Sequence, residues 1–519
     1  MALPWAKEAA MLARLARDLG GFLRTPVTVE TAREATRARL ASREERFLRT
    51  AREMIYGYPR SPYRRLLRAA GCELGDLERL VARLGLEAAL ARLAADGVYV
   101  TCEEFKGRRE AVRGSQRFHF TDADFDNPRV ATHYEAPSGG TRGPAVAVKM
   151  SLTFIEDLAT NTALALHAHG LTGHDHVIWL VAGVTPMLIY AKLGRPPLAW
   201  HYQVAPLPVS RRAGSRYLAL LGRLASIRLP APSFLDLRNP EAMAARLAGL
   251  RRSGSQVCVT TYASSAVRIA AAARELGLDL SGVWFITLGE PFTEGKRRII
   301  DASGARALVR YAFTEAGIIG YACATPQAPD DLHFFSDRYG LVQRPRPVDA
   351  AGLQVNAFLF TSLRPSAPKI LLNVESGDYG VVEQRPCGCD LGKAGLTTHL
   401  WHIRSFEKLS GEGMTFVHSD LLRVLEEVLP ARFGGTGADY QILEEESDGI
   451  LRLALIVSPR VGALDEDRLR RTFLEELGRE GAMARAGARF WQRADTIAVR
   501  RGWPKTTPAG KVLPFEMAR

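Results

Sequence analysis

Between Val283 and Gly317 the chain sets polar residues where two apolar runs end. Val283–Leu288 runs into Gly289-Glu290-Pro291, and Ala305–Tyr311 delivers Thr314 and Glu315 to a loop ending at Gly317. A helix over 293–302 is predicted between them, with an acid early and basic residues later. The order is strand, loop, helix, strand, loop, and in open α/β sheets ligands collect at such strand ends.

Four other stretches carry chemistry. In Pro137-Ser138-Gly139-Gly140-Thr141-Arg142-Gly143-Pro144, adjacent glycines let backbone N–H groups turn toward an anion, and hydroxyls add donors. A surface turn has the same composition, and the Lys-Ser/Thr end of a Walker A loop is missing. In Asn373-Val-Glu-Ser-Gly-Asp378, a carboxylate after a strand could accept a pair of hydroxyls. Near the C-terminus, Trp503-Pro-Lys-Thr-Thr-Pro-Ala-Gly510-Lys511 puts a lysine on a flexible glycine, where a basic tail is the plain alternative. Cys323, His333, Cys387 and Cys389 offer three thiolates and an imidazole, the composition of a closed structural zinc site. Three free thiols and a core histidine are the alternative. The remaining Cys72, Cys102 and Cys258 stand alone and read as buried thiols. The His167/His169 and His174/His176 pairs have no third donor in view and read as structural or surface residues.

Taken in order, these motifs resemble those of the AMP-forming, adenylate-forming superfamily (acyl-CoA synthetases), most closely its phenylacetate–CoA ligase-like branch. The span from Ser138 to Lys511 covers about three-quarters of the chain. The resemblance implies a large N-terminal adenylation domain of α/β type over residues 1–403, mainly helical over 1–129. It also implies a small mobile α+β lid over 404–519. Ser138, Gly139, Gly140, Thr141 and Gly143 would meet phosphate, Gly289-Glu290-Pro291 would line adenine by its backbone, and Tyr311 would stack on it. Thr314 would contact phosphate, Glu315 would hold Mg²⁺, Asp378 and Arg404 would hold the ribose, and Lys511 would be the adenylation lysine. Tyr262 and Ala263 would lie at the acyl pocket. The chain departs from the family pattern at Ala145, where many members have Lys, at Ala312, where Gly is usual, and at Phe406, the hinge position. The implied reaction joins ATP and a small-molecule carboxylate into an acyl-adenylate, then passes the acyl group to coenzyme A. Transfer to an amine or carrier-protein thiol, or a non-catalytic nucleotide-binding homologue, are the alternatives.

The rest of the chain must position these residues. At 519 residues it is long enough for more than one domain, and with 47% hydrophobic and 24% charged residues it can bury a sizeable core. The net charge is +13, yet lysines number only ten and arginines are interleaved with acids. That is a mixed surface suited to anionic small molecules, and no nucleic-acid partner is expected. No apolar run reaches the roughly 20 residues of a membrane span, and Met1–Ala10 lacks a secretory pattern, so a cytoplasmic protein is expected. A homodimer is left open. Leu and Ala recur at helical spacing over 8–19 and 77–95. From Val130 apolar runs alternate with helical stretches, which predicts an α/β sheet. Beyond Arg404 a helix (420–428), a strand (450–458) and a helix (465–478) are predicted. Residues 180–250 yield no clear order.

Overall fold

The computed structural model describes residues 4–137, 147–204, 209–347, 354–406, 408–411, 414–417, 421, 423–447, 450–479, 488, 489, 491–505, 515 and 516. A mixed α/β sheet of twelve strands dominates it. Its first half is parallel. Pro232–Phe234, Ala199–Tyr202, Asp175–Trp179, Val257–Tyr262, Val283–Leu288 and Arg306–Phe313 lie side by side in that spatial order. Every residue of Val257–Tyr262 is buried, as expected of a parallel strand covered on both faces. The covering helices include Leu152–Ala168, rich in buried alanine and leucine, and Ala263–Glu275, rich in buried alanine.

The second half is antiparallel. Gly317–Ala322, Leu332–Phe334, Thr398–Ser405, Val374–Gln384, Gln354–Ser362 and Tyr339–Pro347 continue the sheet to its other edge. Arg306–Phe313 is therefore the strand at which the sheet changes sense, parallel to one neighbour and antiparallel to the other. The apolar runs expected as strands are strands. The unread region 180–250 holds a helix (Val184–Lys192), the short strand Ala199–Tyr202, a helix (Val209–Leu224), the strand Pro232–Phe234 and a helix (Pro240–Arg252).

The N-terminal region is helical, beginning with Pro4–Arg24 and Val29–Ala41. The periodic stretch 77–95 is two helices, Leu74–Leu84 and Leu86–Ala95. Gly85 at φ +77° breaks it, a backbone state that glycine adopts without Cβ strain.

Past Ser405 a separate four-stranded sheet forms, in the order Ile497–Arg501, Ile450–Val457, Tyr440–Ser447, Phe515–Glu516. Glu466–Leu477 is a helix capped by Asp465, close to its expected span. Within the helix expected over 420–428, Leu421 and Arg423 are helical and Val424–Val428 is π-helical, running into Leu429–Phe433. Among the described residues, polar contacts join this unit to the large one. Arg268 donates to the Ala494 carbonyl at 2.7 Å, Arg493 pairs with Asp236 at 3.0 Å, and Thr293 donates its hydroxyl to Glu446.

Candidate active site

Where the sheet changes sense, strand ends and loops from chain-distant segments line one cavity of about 430 Å³. Gly289, Glu290, Pro291, Tyr311, Thr314, Glu315, Asp378, Arg404 and Tyr262 all lie in its wall. Ala263, the first residue of its helix, is fully buried and lies outside that wall.

Gly289 has φ +81°, which turns the chain sharply off the end of Val283–Leu288. The Glu290 side chain then points inward. Its carboxylate accepts from the Ser264 backbone N–H at 3.1 Å and the Ser264 hydroxyl at 2.7 Å. It thereby caps the start of helix Ala263–Glu275 from outside that helix, where orphan N–H groups and the dipole favour an anion. The Lys296 ammonium stands 3.8 Å from Glu290 and donates to the Pro291 carbonyl at 2.7 Å. Both side chains of the Glu290–Lys296 pair are fully buried. With the Glu290 side chain so committed, Gly289–Pro291 offers a ligand its backbone edge.

The strand Arg306–Phe313 slips register against its neighbour between Tyr311 and Ala312. Such a bulge re-aims side chains. The Tyr311 hydroxyl donates to Asp378 at 2.7 Å. Burial and the nearby Asp378 carboxylate push the phenol well above its usual range, so it stays a donor. Glu315 follows two residues after the strand, largely shielded, with its carboxylate 3.5 Å from the Lys106 ammonium. Gly317, at φ +71°, packs so closely on Phe154 and Leu158 that a Cβ would lie 2.9 Å from each. This fixes the loop's return.

Asp378 follows Gly377, which has φ +82°, and pairs with Ser405 across the strands, next to Arg404. The Arg404 guanidinium is 3.5 Å from Asp330, which also accepts from the Ile403 N–H at 3.2 Å. Phe406 donates its N–H to the Gly377 carbonyl at 3.0 Å, so the hinge candidate begins tethered to the Asp378 strand. Away from the carboxylates the wall is apolar, with Leu158, Leu180, Val181, Pro186 and Ile189 beside Tyr262.

The cysteine–histidine group lies behind this wall. His333 Nε2 is 3.0 Å from Cys389 Sγ and 3.4 Å from Cys387 Sγ, and the two sulfurs are 3.4 Å apart. The Cys323 thiol bonds to Cys389 and is pushed up by that bond and by burial, while Cys389 is held toward thiolate by Cys323 and by His333. The structure thus brings the four residues together. Ligands about 2.0–2.3 Å from a tetrahedral zinc sit roughly 3.3–3.8 Å from one another, so the donor set fits that ion. His399 adds a further nitrogen. Donor atoms of Cys323, His333, Cys387 and His399 also lie within 4.8 Å of one another. The shorter contacts of Cys389 favour it as the fourth donor. His333 Nδ1 faces the Leu396 carbonyl at 2.6 Å and His399 Nδ1 faces Asp331 at 2.8 Å, which turns Nε2 of each ring inward. Asp331 adjoins Asp330, so the cluster and the Arg404 contact share a dipeptide.

Ser138, Gly139, Gly140, Thr141, Gly143 and Lys511 lie outside the described residues. Two of the paired histidines, His176 and His169, serve structure. His176 stacks on Tyr190 with ring centres 3.8 Å apart and is pushed down to about 3 by burial, and His169 bonds to the Ala322 carbonyl at 2.9 Å.

The lining residues missed from sequence include Lys106, Asp330 and Glu444. Lys106 sits in the turn after a one-turn helix, far from every motif, its only signal being the scarcity of lysine. Asp330 precedes a strand with no pattern. Glu444 comes from the C-terminal unit, in an acidic run where alternation sends Glu444 and Glu446 to one face. Burial raises the Glu444 carboxyl to about 7, opposed by Lys296 and Arg404. Among the described residues no helix is long and apolar enough to cross a membrane.

No family model matches the chain, and no curated protein matches it. Solved structures similar to it include a variant of the amide bond synthetase Mcba from Marinactinospora thermotolerans, 14% identical, covering 91% of this chain and 92% of that one, with a TM-score of 0.41. Another is PA1221, an NRPS protein containing adenylation and PCP domains, 13% identical, covering 88% and 93%, with a TM-score of 0.36. ATP-bound MatB from Rhodopseudomonas palustris is 13% identical over 73% of this chain and 66% of that one, with a TM-score of 0.31. At these scores the functional reading rests on the cavity's own residues.

Proposed function

We propose that the protein is an AMP-forming ligase that activates a small carboxylic acid with ATP and passes the acyl group to coenzyme A. The observation that carries this reading is the convergence of Gly289–Pro291, Tyr311, Thr314–Glu315, Asp378 and Arg404, five stretches of sequence, on one cavity. Adenine lies along the Gly289–Pro291 backbone and Tyr311, and Asp378 accepts the ribose hydroxyls in place of the Tyr311 hydroxyl. The apolar wall near Tyr262 takes the acyl chain.

In the first step a carboxylate oxygen bonds to the α-phosphorus. The bridging bond to the β-phosphate breaks, its electron pair leaves on pyrophosphate, and no proton moves. Two anions must meet, so fixed positive charge in a shielded site is the main requirement. Mg²⁺ held by Glu315 would supply Lewis-acid charge there. In the second step a thiol attacks the acyl carbon and loses its proton as AMP departs. The unit beyond Arg404 acts as a lid, carrying Lys511 to the cavity for the first step and turning away for the second. The Cys323, His333, Cys387 and Cys389 set would hold one structural zinc, joining the stretch after Glu315 to the stretch after Asp378.

The test is release of pyrophosphate and AMP from ATP across a panel of carboxylic acids, with and without coenzyme A. Acid-dependent pyrophosphate and AMP, with thioester only when coenzyme A is present, is the expected result. Thioester-free turnover with an amine would move the acceptor. ATP binding without turnover would mark a non-catalytic homologue.

A further inference from the structure

A triphosphate carries negative charge that the Glu315 carboxylate adds to rather than offsets, so the site needs positive charge, and in the sequence 138–144 is followed by Ala145, with no lysine before Lys149. Lys149, Lys369 and Lys296 are each committed to carboxylates. Lys149 is exposed and holds Asp126 at 2.7 Å. Lys369 is fully buried on Asp122 at 2.6 Å and Asp126 at 2.8 Å. Lys296 belongs to the Glu290 pair. Lys106 differs. It lines the cavity, and its ammonium lies 3.5 Å from Glu315, an ion pair longer than a good hydrogen bond.

The backbone around Lys106 is held on both sides. It follows the one-turn helix Cys102–Phe105, closed by a reciprocal cap in which Thr101 N–H donates to Glu104 at 2.9 Å and Glu104 N–H to Thr101 at 3.3 Å. Arg113 clamps Glu104 with two bonds of 2.9 Å, and Phe105 stacks on Phe125 with centroids 4.4 Å apart. Gly107 then turns at φ +68°, where a Cβ would lie 2.7 Å from the Phe120 carbonyl oxygen. A cation on so fixed a turn needs little reorganisation to act on charge that arrives with a ligand.

We infer that Lys106 is the resident cation of the phosphate site. It neutralises Glu315 in the unliganded enzyme and bears on the triphosphate oxygens once Glu315 turns to its metal ion. It does the work that a lysine after the glycine-rich loop would otherwise do. The inference rests on the ATP-dependent reading above. In the adenylation step Lys106 moves no proton. It offsets charge while the new bond to the α-phosphorus forms and pyrophosphate leaves.

The experiment compares wild type with Lys106→Met, Lys106→Arg and Lys149→Met. It measures acid-dependent ATP–pyrophosphate exchange, MgATP affinity by calorimetry, and thermal midpoint. Lys106→Met is expected to lose at least thirtyfold in exchange and about tenfold in MgATP affinity with its thermal midpoint held. Lys106→Arg should recover most of the exchange, and Lys149→Met should match wild type. Exchange within threefold of wild type in Lys106→Met would overturn the inference. So would equal loss in Met and Arg variants together with a lowered midpoint, which marks a purely structural counter-ion. If wild type neither binds MgATP nor exchanges, the ATP-dependent reading falls and this inference with it. If wild type does both and Lys106→Met equals it, this inference alone falls.

Discussion

Replacing Glu290 by Gln separates what the Gly289–Pro291 turn does with its side chain from what it offers with its backbone. In the structure the Glu290 carboxylate takes two donors from Ser264, at 3.1 and 2.7 Å, and faces a buried ammonium at 3.8 Å. Gln keeps the shape and one acceptor oxygen but loses the charge. Hydrogen bonds to a charged group contribute about 1.5–3 kcal/mol, against about 0.5–1.5 for neutral ones, so the cap weakens by roughly 1 kcal/mol. Lys296 is then left buried with the Pro291 carbonyl as its near partner. Breaking a buried pair costs about 3–5 kcal/mol, and the long 3.8 Å separation points to the lower end. A total of about 3–4 kcal/mol is expected, read as a lowered urea midpoint of the large unit by tryptophan fluorescence. Lys296→Met added to Glu290→Gln should recover part of the loss, since the pair shares one interaction. The KM for ATP of the folded fraction should move less than threefold. Near-wild-type stability with a tenfold rise in that KM would refute the inward orientation and place the carboxylate against ligand.

Other outcomes follow from the same contacts. Lys511→Ala should cut acyl-adenylate formation a hundredfold or more, about 3 kcal/mol of barrier, while thioester formation from supplied acyl-adenylate survives; equal loss in both half-reactions would contradict the two-position lid. Glu315→Gln should raise the Mg²⁺ concentration needed for half-maximal exchange about tenfold without altering the thermal midpoint, and an unchanged Mg²⁺ profile would remove Glu315 from the metal site. Metal analysis of protein purified without chelator should find about one zinc per chain, and Cys389→Ser should lower the thermal midpoint more than His399→Ala does; the reverse order would make His399 the fourth ligand. Glu444 gives a pH effect. Its carboxyl is raised to about 7 from the ordinary 4.5 by burial, so the docked lid binds a proton that the undocked lid releases. The Glu444 contribution to docking is thus full below about pH 4.5 and lost as pH rises through about 7, by at most about tenfold per pH unit. Inter-unit energy transfer across pH 5–8 should show this in wild type, and a flat profile is expected in Glu444→Gln.

The α/β sheet could be read from the sequence because its strands are unbroken apolar runs ending in glycine or polar turns, as Val283–Leu288 and Val257–Tyr262 do. The strands Ala199–Tyr202 and Pro232–Phe234 escaped because runs of three or four residues are too short for a periodic signal. The split at Gly85 escaped because a single glycine inside a helical pattern is tolerated more often than it breaks one. Tyr311 and Glu315, at the end of one strand, could be placed together because the strand end itself aligns them, whereas Asp378, expected after a strand, lies inside the strand Val374–Gln384. Lys106 and Glu444 reach the cavity only through packing of a distant helix and a separate sheet, and no local pattern encodes such contacts. The direction of the Glu290 side chain was likewise set by Ser264, 26 residues earlier.

The most direct test of acyl-adenylate chemistry follows oxygen from the acid. With a carboxylic acid labelled in both oxygens with ¹⁸O, attack on the α-phosphorus and later cleavage at the acyl carbon must leave one labelled oxygen in AMP and none in pyrophosphate. Mass spectrometry of AMP carrying one ¹⁸O per turnover is the result predicted here. Label in inorganic phosphate, with ADP as the nucleotide product, would contradict the account, as would unlabelled AMP.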